Sequence, residues 1–169
     1  MNHEVFSFEC KECGATHEGV QDLYFAAPYY YFELDDDERL EAELTEDTCV
    51  IRNESFFVRG VLEIPIQGHD NVFGYGVWVS LSKVSFDRYI ELFSCADEIL
   101  DGPFFGWLSN AIVEYPDTLG MKCDVKLLPY PSRPEIKLHR CEHPLAIDQE
   151  KGMPESKLRE ILTGSMHPE

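Results

Sequence analysis

The apolar pattern near the middle of the chain is strand-rich over two stretches. Ser55-Phe56-Phe57-Val58-Arg59-Gly60-Val61-Leu62-Glu63-Ile64 and Tyr75-Gly76-Val77-Trp78-Val79-Ser80-Leu81 are rich in β-branched and aromatic side chains, which suit a pleated, half-buried surface. Gly68-His69-Asp70-Asn71 between them is a turn cluster, so the pair predicts one long antiparallel hairpin. Pro65 falls at the strand end or edge, where a missing N–H is tolerated. Cys49-Val50-Ile51 predicts a further short strand. The period then changes. Ser85 can cap a helix over residues 86–100, with Phe86, Tyr89, Ile90 and Phe93 on one face and Leu92, Cys95 and Ile99 widening it. Residues 102–108 are too apolar for a wet loop and are expected to pack on the core.

Residues 5–20 predict a strand, a tight knuckle and a second strand, followed by a Pro- and aromatic-rich connection over 27–32. Asp35-Asp36-Asp37 opens a helix whose acidic first turn complements the helix dipole, and Leu40 and Leu44 share a face. This acid run lacks the alternating ligands, central Gly and terminal Glu of a calcium loop. Further strands are predicted over 123–128 and 135–139, separated by Pro129-Tyr130-Pro131. Pro144 can begin a short helix, and Pro154 another that ends before Gly164. Strands joined mostly by hairpins, with helices around them, predict an α+β fold: a mainly antiparallel sheet, flanking helices and an N-terminal zinc-knuckle-like hairpin. The expected organisation is a hairpin over 1–20 packed as one unit with an α+β domain over 21–169.

Chemistry enters at Cys10-Lys11-Glu12-Cys13-Gly14. Two thiolates separated by two residues can bind one ion from a tight turn, and a Gly after the second supplies the positive φ that closes it. A zinc ribbon would repeat the pair some 15–20 residues later, and no second pair exists. Two further ligands must come from elsewhere. His17 is the nearest candidate, and Cys49 is next, at a strand start. Cys141 and His143, a Cys-x-His arrangement, are a third option. Cys95 and Cys123 sit in apolar patterns and read as buried small hydrophobes, whereas His3, His69, His139 and His167 read as surface or loop residues. A thioredoxin-like redox pair is disfavoured, because that motif belongs at a strand-to-helix turn in a βαβ unit.

Composition narrows the function classes. Among 169 residues, 32 acidic against 14 basic side chains give a formal net charge of −18. Such a surface repels nucleic acid and anionic membranes and attracts basic partners. No apolar run approaches the ~20 residues of a membrane span, and the first residues lack a basic n-region and an apolar h-region. A cytoplasmic address is therefore expected. There six cysteines read as metal ligands or buried hydrophobes rather than disulfides.

Several strings carry a resemblance. Phe56-Phe57-Val58-Arg59-Gly60-Val61-Leu62-Glu63-Ile64-Pro65, Gly76-Val77-Trp78-Val79-Ser80-Leu81-Ser82, Gly106-Trp107-Leu108-Ser109-Asn110, Tyr115-Pro116-Asp117-Thr118-Leu119 and His143-Pro144-Leu145-Ala146 resemble an uncharacterised bacterial family, domain of unknown function 2199. Cys10-x-x-Cys13-Gly14-x-x-His17 and Asp47-x-Cys49 also look like its pattern, and the likeness spans most of residues 6–162. The resemblance implies an N-terminal metal knuckle, favours His17 and Cys49 as ligands, and supplies no catalytic residue. The expected site is structural zinc on Cys10, Cys13, His17 and Cys49. The expected role is a non-enzymatic interaction module, such as an immunity or inhibitor protein for a basic partner. The competing role is a metal-dependent enzyme with a pocket near Arg59, Trp107 and His143, to which Trp78 and Asn110 contribute.

Overall fold

The computed structural model describes residues 6–167; Val5 and His3 of the sequence reading lie outside this range. β1 (Ser7–Glu9) and β2 (Thr16–Glu18) form a two-stranded antiparallel hairpin. Eight strands form the second sheet: β3 (Leu23–Tyr24), β4 (Glu43–Leu44), β5 (Thr48–Ile51), β6 (Ser55–Pro65), β7 (Val72–Leu81), β8 (Phe104–Leu108), β9 (Lys122–Lys126) and β10 (Glu135–Leu138). The central hairpin is as expected, with β6 and β7 antiparallel from Phe56↔Leu81 to Pro65↔Val72.

The sheet does not stay open. Its order is β3-β7-β8-β9-β10-β6-β5-β4, and β7 also pairs with β6, so β6 to β10 close into a five-stranded barrel. Each long strand divides its second edge between two partners. β7 takes β3 at Leu23↔Tyr75 and Tyr24↔Gly76, then β8 at Val79 to Leu81. β6 takes β5 at its start and β10 at Val61. Closure by β10 is parallel, at Glu135↔Val61, with the Val61 N–H donating to the Pro134 carbonyl at 2.9 Å.

Two-residue periodicity then sorts the side chains into two buried clusters. Phe56, Val58, Leu62 and Ile64 of β6 join Tyr75, Val77, Val79, Leu108, Val125 and Ile136 in the larger one. The intervening Phe57 and Trp78 face the other way and meet Cys49, Ile51 and Leu34 in the smaller.

The apolar segment at 102–108 packs on the core only in part: it supplies a barrel strand, β8, whose Phe104 and Leu108 reach the core while Phe105 and Trp107 face outward. Three helices differ from the sequence reading. The helix expected to carry Leu40 and Leu44 on one face ends at Glu41, and Leu44 lies on β4. α3 (Lys83–Leu92) starts earlier than expected, because the Ser82 hydroxyl, not Ser85, accepts the capping bond from the Ser85 N–H at 3.2 Å. It stops eight residues short of 100; Leu92 and Ile99 still pack against the core, whereas Leu100 is 85% exposed. α5 (Glu155–Met166) runs through Gly164 because its stripe of Leu158, Ile161 and Leu162 continues to Met166 against the core. The other helices are α1 (Tyr29–Phe32), α2 (Asp36–Glu41) and α4 (Pro144–Lys151). Asp35 and Glu38 form a reciprocal capping box on α2, and Pro144 occupies the first turn of α4. Among the described residues no helix is long and apolar enough to cross a membrane.

Closure depends on one missing side chain. A Cβ on Gly60 would lie 2.5 Å from Ile136 Cδ1 and 2.8 Å from the Pro134 carbonyl oxygen, both on the closing segment. The side chain can rotate away; the carbonyl is fixed by its bond to Val61. Gly60→Ala is therefore expected to cost about 1–3 kcal/mol as a lower urea midpoint. Gly164→Ala meets nothing within 4 Å and is expected to raise it by up to ~1 kcal/mol through helix propensity. Equal midpoints for Gly60→Ala and wild type would refute the closure argument.

Candidate metal centre

The site begins with an alternation. Phe6 and Phe8 are buried in the larger core cluster, and each contributes about 1.5–3 kcal/mol of apolar burial. They dock the hairpin and deliver Cys10 to the end of β1. There the Cys10 N–H donates to the Ala15 carbonyl and the Gly14 N–H to the Cys10 carbonyl, both at 2.8 Å. Gly14 has φ 71°, the left-handed conformation inferred from its place after the second Cys. The chain returns as β2 with His17 opposite Phe8, their rings 5.5 Å apart.

A fourth group arrives from the far end of the chain. α5 ends at His167, whose N–H still donates to the Thr163 carbonyl at 3.0 Å. His167 Nε2 lies 3.2 Å from Cys10 Sγ, and His17 Nε2 lies 3.4 Å from Cys13 Sγ. One donor atom from each of Cys10, Cys13, His17 and His167 lies within 4.8 Å of the other three, and the group could hold a metal ion. Glu12 Oε2 sits 3.8 Å from His167 Nδ1, placing a carboxylate behind the imidazole as outer partners of metal-binding histidines commonly are. The Cys10 thiol is held down at about 6, first by the Cys13 backbone N–H, then by the Glu12 N–H and the Cys13 and His17 side chains, against an opposing push from burial. Cys10 is 1% exposed, whereas Cys13 is exposed.

Of the sequence candidates, Cys10, Cys13 and His17 come together and Cys49 does not join them. Cys49 lies on β5 with no exposure, packed with Phe57 and Trp78, where burial pushes its thiol up to about 12. His167, read from sequence as a surface residue, supplies the fourth donor atom. A lone His at a helix end forms no local motif; the only hint was the apolar stripe of α5 running past Gly164 and carrying the chain onward. Cys141 is exposed, and His143 caps α4, with Nδ1 accepting from the Leu145 N–H at 3.1 Å and Nε2 2.7 Å from the Pro116 carbonyl. Cys123 is buried in the barrel cluster, its thiol also pushed up to about 12 by burial, while Cys95 is half-buried. His69 and His139 lie 2.9 and 2.7 Å from the carboxylates of Glu155 and Asp124.

Three residues of the competing pocket are neighbours: the Arg59 guanidinium lies 5.9 Å from the Trp78 ring centroid, and Asn110 is hydrogen-bonded to Trp78. The Trp78 N–H donates to Asn110 Oδ1 at 2.7 Å, its indole N–H to the Phe25 carbonyl at 2.9 Å, and the Asn110 amide to the Ala27 carbonyl at 3.0 Å. Arg59 donates to the Glu46 carbonyl and lies over the Tyr24 ring. Trp107 is 44% exposed, edge-on to Phe105 with centroids 5.1 Å apart.

Fold and site together define a small α+β protein on a closed five-stranded barrel, with a Cys/His group able to hold a metal ion. The chain belongs to a family of uncharacterized proteins conserved in bacteria (DUF2199), which matches residues 9–153. That match includes Cys10, Cys13 and His17; His167 lies beyond it. No curated protein and no solved structure matches the chain.

Thiol placement gives a direct check. Alkylation of the folded protein at pH 8 is expected to label Cys141 and Cys95 and to spare Cys49 and Cys123 until the chain unfolds. Peptide mass mapping reads the outcome, and early labelling of Cys49 would contradict its position.

Proposed function

We propose that Cys10, Cys13, His17 and His167 hold a structural zinc ion, and that the protein is a non-enzymatic interaction module for a basic protein partner. The observation that carries the first half is the closed donor set. Two sulfurs and two imidazole nitrogens on Zn–S bonds of about 2.3 Å and Zn–N bonds of about 2.0 Å would sit roughly 3.3–3.8 Å apart at tetrahedral angles. The Cys10–His167 and Cys13–His17 separations of 3.2 and 3.4 Å need little adjustment to reach that. Four protein donors leave no open position for substrate, which favours a structural ion over a catalytic one. The C-terminal end of α5 adds negative dipole character that suits a cation. Thiolate ligands fit a reducing compartment, so a cytoplasmic address belongs to the same proposal.

The second half rests on charge. Residues 33–47 carry five Glu (33, 38, 41, 43, 46) and four Asp (35, 36, 37, 47) against one base, Arg39. They line α2 and the edge strand β4, beside Phe32 and Leu40, which are 53% and 85% exposed. Dense carboxylates around exposed apolar side chains suit a basic protein face: charge sets the encounter rate, and the apolar contacts set how long the complex lasts. An inhibitor or immunity protein for a basic toxin or nuclease is one form of this reading.

Elemental analysis tests the ion. One zinc per chain is expected after purification without chelator, lost in Cys10→Ser, weakened in His167→Ala and retained in Cys49→Ser. A metal-free wild type would sink the zinc proposal, and loss in Cys49→Ser with retention in His167→Ala would reverse the ligand set. Partner capture from lysate is expected to recover basic proteins at low salt and to lose them near ~0.5 M salt, where screening shortens to a few ångströms. Capture indifferent to salt would remove the charge argument.

A further inference from the structure

A second feature lies away from the metal centre. α3, β6 and the loop 127–134 enclose an open cleft of about 650 Å³, within the usual range of small-ligand sites. Its wall is mostly apolar and includes Val61, Leu92, Ile99 and Leu127. Three rings run along it: Tyr89 packs against Phe93 with centroids 5.8 Å apart, and Phe93 against Tyr130 at 6.1 Å. Phe93 and Tyr130 are 42% and 51% exposed, whereas Tyr89 is 2% exposed.

The Tyr89 hydroxyl is buried and has no hydrogen-bond partner. A buried phenol usually finds one, and leaving it without costs stability. Nothing in the packing of α3 requires it: a phenylalanine would make the same ring contacts. Two charged residues, Asp47 and Arg133, line the same cleft. These two are already paired, Arg133 Nε donating to Asp47 Oδ1 at 3.0 Å. The cleft thus offers an apolar wall, a neutralised ion pair and one unused donor.

We propose that this cleft binds a small, uncharged, largely apolar molecule whose single hydrogen-bond acceptor, a carbonyl or ether oxygen, meets the Tyr89 hydroxyl. The Asp47–Arg133 pairing leaves no uncompensated charge in the lining to select an ion. The net charge of −18 disfavours anions at long range. Phe93, exposed and only edge-on to Tyr89, is the ring that moves aside to admit the ligand oxygen.

The test compares acetophenone with toluene, which lacks the acceptor, and benzoate, which carries a charge. Each is titrated into the wild type and Tyr89→Phe and followed by amide shifts of residues 92, 99, 128 and 130. Acetophenone is expected to bind saturably and about tenfold tighter than toluene, and the preference is expected to vanish in Tyr89→Phe. The same variant is expected to melt at an equal or higher temperature, because it removes an unsatisfied polar atom. A structural role for the hydroxyl would instead lower the melting temperature and overturn the assignment. Absence of saturable shifts with acetophenone, an undiminished preference in Tyr89→Phe, or tighter binding of benzoate than of acetophenone would each overturn it too.

Discussion

The architecture depends on how closely β10 approaches β6 at Gly60. A sheet of this length with an open edge would present unpaired N–H and C=O groups to solvent and to other chains. Closure removes the edge within the five-stranded part and leaves β3 and β4 as edges, but the closing pair is short and parallel, and the Pro134 carbonyl must come within hydrogen-bonding distance of Val61. Any side chain at residue 60 would occupy that space. Because the strand is closed there, Ile136 can enter the same buried cluster as Val58, Leu62 and Val77. Loosening this contact would affect five strands together.

The placement of the site follows from the same closure. The barrel's buried cluster extends to Phe6 and Phe8 of the hairpin and to Leu158, Ile161 and Leu162 of α5. The hairpin and α5 therefore both dock on the barrel, and their ends meet. His69, in the turn region between the two long strands, braces this corner: its ring is edge-on to Phe6, and Nε2 lies 2.9 Å from Glu155 Oε2. Apolar docking thus positions the donors before any ion enters.

What could be read from the sequence divides along physical lines. Local signals were faithful. The β-branched and aromatic runs of β6 and β7, the acidic start of α2, Pro144 opening α4 and Gly14 closing the knuckle are each set by neighbours within a few positions. Barrel closure was not legible, because the pairing of Val61 with Glu135 leaves no local periodic trace, and Gly60 reads as an ordinary weak point in a strand. The site was legible by half. Cys10, Cys13 and His17 sit within eight residues of one another, while His167 reaches them only through the packing of α5. Cys49 drew attention as a cysteine at a strand start, a position that an outward-facing core cluster fills equally well. Residue 164 misled for a related reason: glycine often ends helices, but burial of Met166 against the core outweighs that tendency here.

The pairing of Cys10 with His167 spans 157 residues of chain. An ion held between them would be a cross-link of the folded state, tying together two segments that the sequence keeps 157 residues apart. Fraying at the hairpin and fraying at α5 would cease to be independent events. Opening either would require releasing the ion that holds the other, so the two ends of the molecule would unfold as one cooperative unit.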